Sequence, residues 1–248
     1  MLRKLNHLLF ALLLATATLY ATDARLNSYP QAQEWEEQAL DGDADAMYNL
    51  AHTYQTKLED FDKAIYWYEK AYNTNKDVDS ANNLGYVYKK HFKNYEKAEY
   101  WYKLASDAGD KDATFNLALL YDDTLQQKEK AVDWYKRAYT MGDMGGANSL
   151  GYLCEHTLHD DACAEEWYLK AAKGNERKAI GNLAKFYHKK GENVRAGAYA
   201  ITLIGNGYTK KKIFSYMKKW NLTKDQIKQA YELQKTLDIP KHYTDEID

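Results

Sequence analysis

The chain has 248 residues, with 34 Lys and Arg against 36 Asp and Glu and a formal net charge of −2. That mildly acidic balance argues against nucleic acid as a partner, because such proteins present a clustered basic face. Aromatic residues make up 14%, with 23 Tyr and only 2 Pro, and the chain is long enough to bury a continuous core as a single array of stacked repeats.

The first 21 residues carry Arg3 and Lys4, then an apolar run from Leu8 to Leu14 that extends to Tyr20, then the small Ala21. This order of features predicts a secretory signal over residues 1–21, cleaved after Ala21. The alternative is an N-terminal anchor, but the strongly apolar part is shorter than the roughly 20 apolar residues a span requires. No cysteine lies near the junction to take a lipid, and no second apolar stretch follows, so no stable membrane insertion is expected after cleavage. The mature protein is expected to be periplasmic or secreted.

Gln31 to Leu40, with Ala32, Trp35 and Ala39, reads as a single helix that pairs with a short element near Tyr29 or caps the array. The acidic run from Asp41 to Asp45 has the flavour of a calcium loop. An EF-hand, however, needs Gly at its sixth position and Glu at its twelfth, and Ala46 and His52 stand there. The run is read as a turn leading into a helix start favoured by the helix dipole.

From here a period governs the chain. Tryptophans fall at 35, 67, 101, 134 and 167, and leucines at 50, 84, 117, 150 and 183. A repeat of 33–34 residues marks stacked helix pairs. In helix A of each pair the leucine is followed by a small residue (Ala51, Gly85, Ala118, Gly151, Ala184), and four residues on by Tyr54, Tyr88, Tyr121, Cys154 or Tyr187 on the same face. Helix B carries Ala-x-x-Trp-Tyr-x-x-Ala, as in Ala64–Ala71, where the indole is expected to bury a large apolar area. Gly42, Gly109, Gly142 and Gly174 follow the B helices as left-handed stops.

The A-x-x-N-L-A runs at Ala46–Ala51, Ala113–Ala118 and Ala179–Ala184, the KA-x-x-WY-x-x-A of helix B and the glycine after it resemble the Sel-one-like repeat family, a relative of the tetratricopeptide repeats. The resemblance covers roughly Gln31 to Gly205. It implies an all-α fold: a right-handed α-solenoid of stacked antiparallel helix pairs, about five repeats, with N- and C-terminal capping helices. The solenoid is expected over residues 22–205. In the fifth unit Tyr199 and Ala200 replace Trp-Tyr, as terminal repeats often do. The family also implies adaptor or scaffold work through protein contacts, usually without catalysis, and no cofactor is expected.

Cys154 and Cys163 flank the A–B turn of the fourth repeat, with His156 and His159 between them. A disulfide, a metal site built from these four residues, and two free thiols are all compatible with the spacing; an exported protein favours the disulfide. The resemblance supports a bridge in general terms, since the cysteine-rich exported branch of that family uses disulfides within its array.

Beside the packing face of helix A, the positions two before, two after and five after the leucine form an i, i+4, i+7 stripe, and such stripes line the inner surface of a solenoid. Here the stripe is Tyr48, His52 and Gln55; Asn82, Tyr86 and Lys89; Phe115, Leu119 and Asp122; Asn148, Tyr152 and Glu155; then Gly181, Lys185 and His188. Aromatic anchors among dispersed polar groups suit recognition of a protein or peptide; the alternative is that these aromatics pack between neighbouring helices. Asn49, Asn83, Asn116 and Asn182 are expected to bridge adjacent helices.

After Gly205 the repeat fades. Lys210–Trp220 is a short basic amphipathic stretch, and Thr223 with Gln226 forms a capping box that opens a last helix. Residues 206–240 are read as capping helices and 241–248 as a mobile tail. Ser215-x-x-Lys218 is the one hint of a serine enzyme, and it lacks the Ser-Asp-Asn and Lys-Thr-Gly partners of that chemistry. The expected function is therefore an exported scaffold that binds a protein or peptide in the cell envelope. The alternatives are an immunity or inhibitor-type binder and a β-lactamase-like or penicillin-binding enzyme, the latter because exported members of the resembled family carry such labels.

Overall fold

The computed structural model describes residues 23–244, so the expected signal at 1–21 and the last four residues lie outside the described part. The described residues form thirteen α-helices and no strand. None of these helices is long and apolar enough to cross a membrane. The chain divides into two compact units at Ala108 and Gly109.

The first unit opens with a 3-10 turn, Ala24–Ser28, that buries Leu26. It continues with α1 (Pro30–Leu40), α2 (Ala44–Thr56), α3 (Phe61–Asn75), α4 (Val78–Val87) and α5 (Tyr95–Asp107). Each start after α1 has a side-chain cap. Asp43, Asp60, Asp77 and Asn94 accept from the backbone N–H groups of Ala46, Lys63, Ser80 and Lys97, satisfying donors that a helix start leaves open. Neighbouring helices pack as pairs, α2 with α3 and α4 with α5.

The second unit holds α6 (Lys111–Leu119), α7 (Lys128–Thr140), α8 (Met144–Leu153), α9 (Asp161–Lys173), α10 (Arg177–Lys189) and α11 (Asn193–Ile201). Then come α12 (Lys210–Lys219) and α13 (Lys224–Gln234). The capping box of α13 is formed in both directions, Gln226 N–H to Thr223 Oγ1 at 3.2 Å and Thr223 N–H to Gln226 Oε1 at 2.9 Å. α13 closes onto α11 at Gly197, where an added Cβ would lie 2.9 Å from Ala230 Cβ. Beyond α13, Gln234 exchanges two hydrogen bonds with the Tyr243 backbone, at 2.8 and 3.1 Å.

One expectation about the repeat changes on contact with the structure, and another is refined. Gly42, Gly109 and Gly142 take the left-handed conformation, but Gly174 does not, and Asn175 supplies the positive φ of 63°. Gly174 is small for another reason: a Cβ there would collide with the Met144 side chain. In the Trp-Tyr pair of helix B the indoles are buried or half-buried, as expected, but the tyrosine lies deeper. Tyr68, Tyr102, Tyr135 and Tyr168 are 0–1% exposed, whereas Trp67 and Trp167 are each 9% exposed and Trp35, Trp101 and Trp134 are half-buried. The tyrosine occupies the centre of the i, i+4, i+7 stripe Ala64–Tyr68–Ala71, and the tryptophan stands one position to its side.

The small residue after the helix A leucine serves that tyrosine. A Cβ on Gly85 would lie 2.5 Å from Tyr102 Cδ1, and one on Gly151 would lie 2.6 Å from Tyr168 Cδ1. Helix A therefore gives up a side chain to let the helix B ring lie against its backbone. In three repeats helix A then widens into a π-turn, at Tyr88–Phe92, Leu120–Thr124 and Cys154–Leu158. The carbonyls of Tyr88, Tyr121 and Cys154 accept from the N–H groups of Asn94, Gln127 and Asp160, so the junction leaves no buried acceptor open there.

Candidate functional site

Each unit presents its own share of the predicted stripe. In the first, Tyr48 is half-buried, tilts against Tyr68 with ring centroids 5.7 Å apart, and accepts from Asn83 Nδ2 at 3.3 Å. His52 is exposed and stacks on Tyr48 at 6.3 Å. Tyr86 is half-buried and accepts from Lys90 Nζ at 2.5 Å. Asn82 and Lys89 are half-buried and engaged.

The position five after the leucine is largely committed to the fold. Tyr68 donates its phenol to Gln55 Oε1 at 2.7 Å, Tyr135 to Asp122 Oδ2 at 3.0 Å and Tyr168 to Glu155 Oε2 at 3.2 Å. Burial raises the pKa of all three phenols well above the usual value, and the adjoining carboxylates push Tyr135 and Tyr168 further up. They therefore stay protonated and donate. Asp122 also pairs with Lys128 at 2.7 Å, and Glu155 is itself buried. Phe115 and Leu119 are half-buried, the former 5.9 Å from the Tyr135 ring.

The stripe continues in the second unit at α8 and α10. Asn148 accepts from Asn182 Nδ2 at 2.9 Å, an asparagine bridge between successive A helices of the kind expected from sequence. Tyr152 is 54% exposed and stacks on His156 at 4.1 Å. His188 stacks on Trp220 at 4.8 Å, and Lys185 is exposed.

These residues meet the C-terminal helices around a cleft of about 580 Å³. Ala184, Ala200, Leu203 and Ile213 form an apolar floor. Tyr152, Tyr208, Tyr216 and Trp220 supply aromatic walls, and Arg177, Lys178 and Lys185 are its charged members. No carboxylate lines it. Arg177, Lys178, Tyr208 and Tyr216 were not singled out as site residues by sequence, because they lie outside the repeating stripe. One signal was available: Asp45, Asp79 and Asp112 hold the second position of three earlier A helices and Gly145 that of the fourth, and Lys178 is the one cation at that position.

Cys154 and Cys163 are joined as a disulfide with Cα atoms 5.7 Å apart, across the turn between α8 and α9. The bridge removes both sulfurs from any metal site, and His159 is left exposed at the left-handed end of the π-turn. Ser215 Oγ donates to the Lys212 carbonyl of its own helix at 2.7 Å.

The Sel1 repeat profile matches residues 44–73, 78–110, 111–143 and 147–176, about half of the chain. The chain belongs to the Sel1 repeat family. Among solved structures it is similar to a protective antigen of uropathogenic Escherichia coli strains that displays an SLR fold, at 24% identity and a TM-score of 0.63. That alignment covers 83% of this chain and 48% of the antigen, so the chain spans about half the antigen's length. A Sel1 repeat protein from Oxalobacter formigenes aligns at 26% identity and a TM-score of 0.50, covering 65% of this chain and 68% of that one. An immunity protein from Pseudomonas aeruginosa aligns at 18% identity and a TM-score of 0.42, over 84% of this chain and 73% of that one, too distant to bear on function. No curated protein matches the chain. The family is a non-enzymatic helical scaffold family whose repeats commonly mediate contacts between proteins.

Proposed function

We propose that this Sel1 repeat protein is an exported binding scaffold that holds a protein or peptide partner in the cell envelope. The observation that carries the reading is the cleft where Asn148, Tyr152 and Lys185 of the A helices converge with Tyr216 and Trp220 of the C-terminal helices. An apolar floor with a few convergent polar groups is the usual make-up of a binding site. In the first unit, Tyr48, His52 and Tyr86 stand at the corresponding stripe positions of their A helices. Export is supported by the Cys154–Cys163 bridge, since disulfides persist in oxidising compartments, and by the basic-then-apolar start of the chain. A serine-enzyme reading finds no support at Ser215, whose hydroxyl is spent on its own helix.

The test is affinity capture from an envelope extract with wild type and Tyr152→Ala, followed by titration of each partner recovered. A partner whose affinity falls in the variant while helix content is unchanged supports the reading. Failure of the wild type to retain any partner specifically counts against it. Intact mass of the protein recovered from the periplasmic fraction tests export; a chain still beginning at Met1 contradicts cleavage after Ala21.

A further inference from the structure

We propose that the cleft of the second unit captures an acidic segment of a partner protein. An apolar side chain of that segment sits on the Ala184–Leu203–Ile213 floor, and a neighbouring carboxylate meets Arg177, Lys178 and Lys185. The inference rests on the scaffold reading above and narrows it to a partner chemistry.

The first observation is uncompensated charge. Acidic residues outnumber basic ones in this chain, yet three cations line one cleft that contains no Asp or Glu. Among the described residues, the side chains of Arg177, Lys178 and Lys185 make no ion pair or hydrogen bond. An entering carboxylate would find its countercharge already assembled.

The second is that two of these cations sit where folding disfavours them. Arg177 and Lys178 are the first two residues of α10, and the open N–H groups of a helix start repel positive charge and attract negative. Three of the four preceding A helices carry an acid there, Asp45, Asp79 and Asp112, and the fourth has Gly145. The N-cap Glu176 accepts the Lys178 N–H at 3.1 Å with Oε1, so one carboxylate caps this helix start while the Arg177 and Lys178 side chains are left to the cleft.

The third is that Gly207 leaves room for the Arg177 side chain at the edge of the cleft. Gly207 has a φ of 90°, and a Cβ there would collide with the Arg177 guanidinium. The turn that holds this glycine is closed by the Gly205 N–H donating to the Tyr208 carbonyl at 3.0 Å. A side chain at 207 would push the guanidinium off the edge of the cleft.

The fourth favours a peptide over a lipid headgroup or a nucleotide. With Asn182 Nδ2 donating to Asn148 Oδ1 at 2.9 Å, an N–H of Asn148 and the carbonyl of Asn182 remain as an adjacent donor and acceptor lining the cleft. That couple matches a peptide group, which has one of each. A volume of about 580 Å³ accommodates one or two side chains, within the range of about 300–1,000 Å³ typical of small-ligand sites.

The experiment is a fluorescence-anisotropy titration of the full chain with fluorescein-labelled Glu-Phe-Asp-Leu-Glu. The controls are its amide analogue Gln-Phe-Asn-Leu-Gln and an analogue that keeps the acids but has alanine in place of Phe and Leu. Saturable binding of the first peptide is expected, at least about tenfold weaker for either analogue and in the Arg177→Gln/Lys185→Gln variant, since loss of even one charge-assisted hydrogen bond accounts for about tenfold. Gly207→Ala should weaken binding in the same direction. Circular dichroism of each variant establishes that it is folded; both Arg177 and Lys185 are exposed, so their loss leaves the core intact. Equal affinity for the acidic and amide peptides, equal affinity of wild type and the double variant, or no saturable binding overturns the proposal. Binding to phosphatidylglycerol vesicles without binding to the peptide also overturns it, in favour of a lipid headgroup. Affinity capture separates this proposal from the broader one: a partner retained equally by wild type and the double variant leaves the scaffold reading standing and removes the cleft assignment.

Discussion

Tyr168 donates its phenol to Glu155 Oε2 at 3.2 Å, with both side chains buried inside the fourth repeat. The same bond recurs between Tyr68 and Gln55 and between Tyr135 and Asp122. Each links helix B to the end of the preceding helix A, and each uses a residue of the stripe that sequence reasoning assigned to a partner. Glu155 gains a further contact from Lys189 at 3.4 Å. Tyr168→Phe keeps the ring and removes the donor, and is expected to cost about 1–3 kcal/mol because a buried acceptor loses its partner. Urea denaturation measures it.

The depth of the two aromatic positions in helix B predicts an inequality. Tyr135 is 1% exposed, while Trp134 is half-buried with Arg137 lying 5.0 Å above its ring. Tyr135→Ala should cost about 3–5 kcal/mol, as for other large core truncations. Trp134→Ala should cost clearly less, despite the larger side chain. Equal losses in the midpoint of urea unfolding would contradict this ordering.

Gly151→Ala should be destabilising by about 1–3 kcal/mol, the usual cost of overpacking, because its new methyl would overlap the Tyr168 ring. Combining it with Tyr168→Leu tests the cause. If the ring is the obstacle, the glycine substitution costs less in the double variant than alone, a coupling that a thermodynamic cycle reads directly.

The alkaline limb of stability follows from the buried phenols. Tyr68, Tyr102, Tyr135, Tyr168 and Tyr187 have pKa values raised above the ordinary value of 10.0, chiefly by burial. The folded state therefore holds these protons more tightly than the unfolded state, so their contribution is fully present below about pH 10 and is lost as the pH rises above it. Tyrosinate absorbance from this group should appear together with loss of helix signal in an alkaline titration. Titration of all tyrosines near pH 10 with the helices intact would refute it.

The Cys154–Cys163 bridge closes a short loop, with nine residues of sequence separation. Its loss is expected to cost about 2–3 kcal/mol through the freedom regained by the unfolded chain. Thiol titration of denatured, unreduced protein should find none free, and the Cys154→Ala/Cys163→Ala variant should melt lower than wild type.

Most of the architecture was legible in the sequence because it is local and repeated. The leucine and tryptophan rulers and the small residue after each leucine act within one or two helical turns, and repetition makes each visible several times. The Thr223–Gln226 box was readable for the same reason. Three other features were decided only by tertiary structure. Which residue of a Trp-Tyr pair lies deeper depends on the rotation of helix B about its axis, and adjacent residues differ by too small an angle for composition to choose between them. Whether Asp122 and Glu155 face a partner or a buried phenol depends on the distance between two helices. The cleft gathers Asn148, Arg177, Tyr208 and Trp220 from four separate stretches of the second unit, and no periodic rule connects residues that meet only because the last helices fold back over α10 and α11.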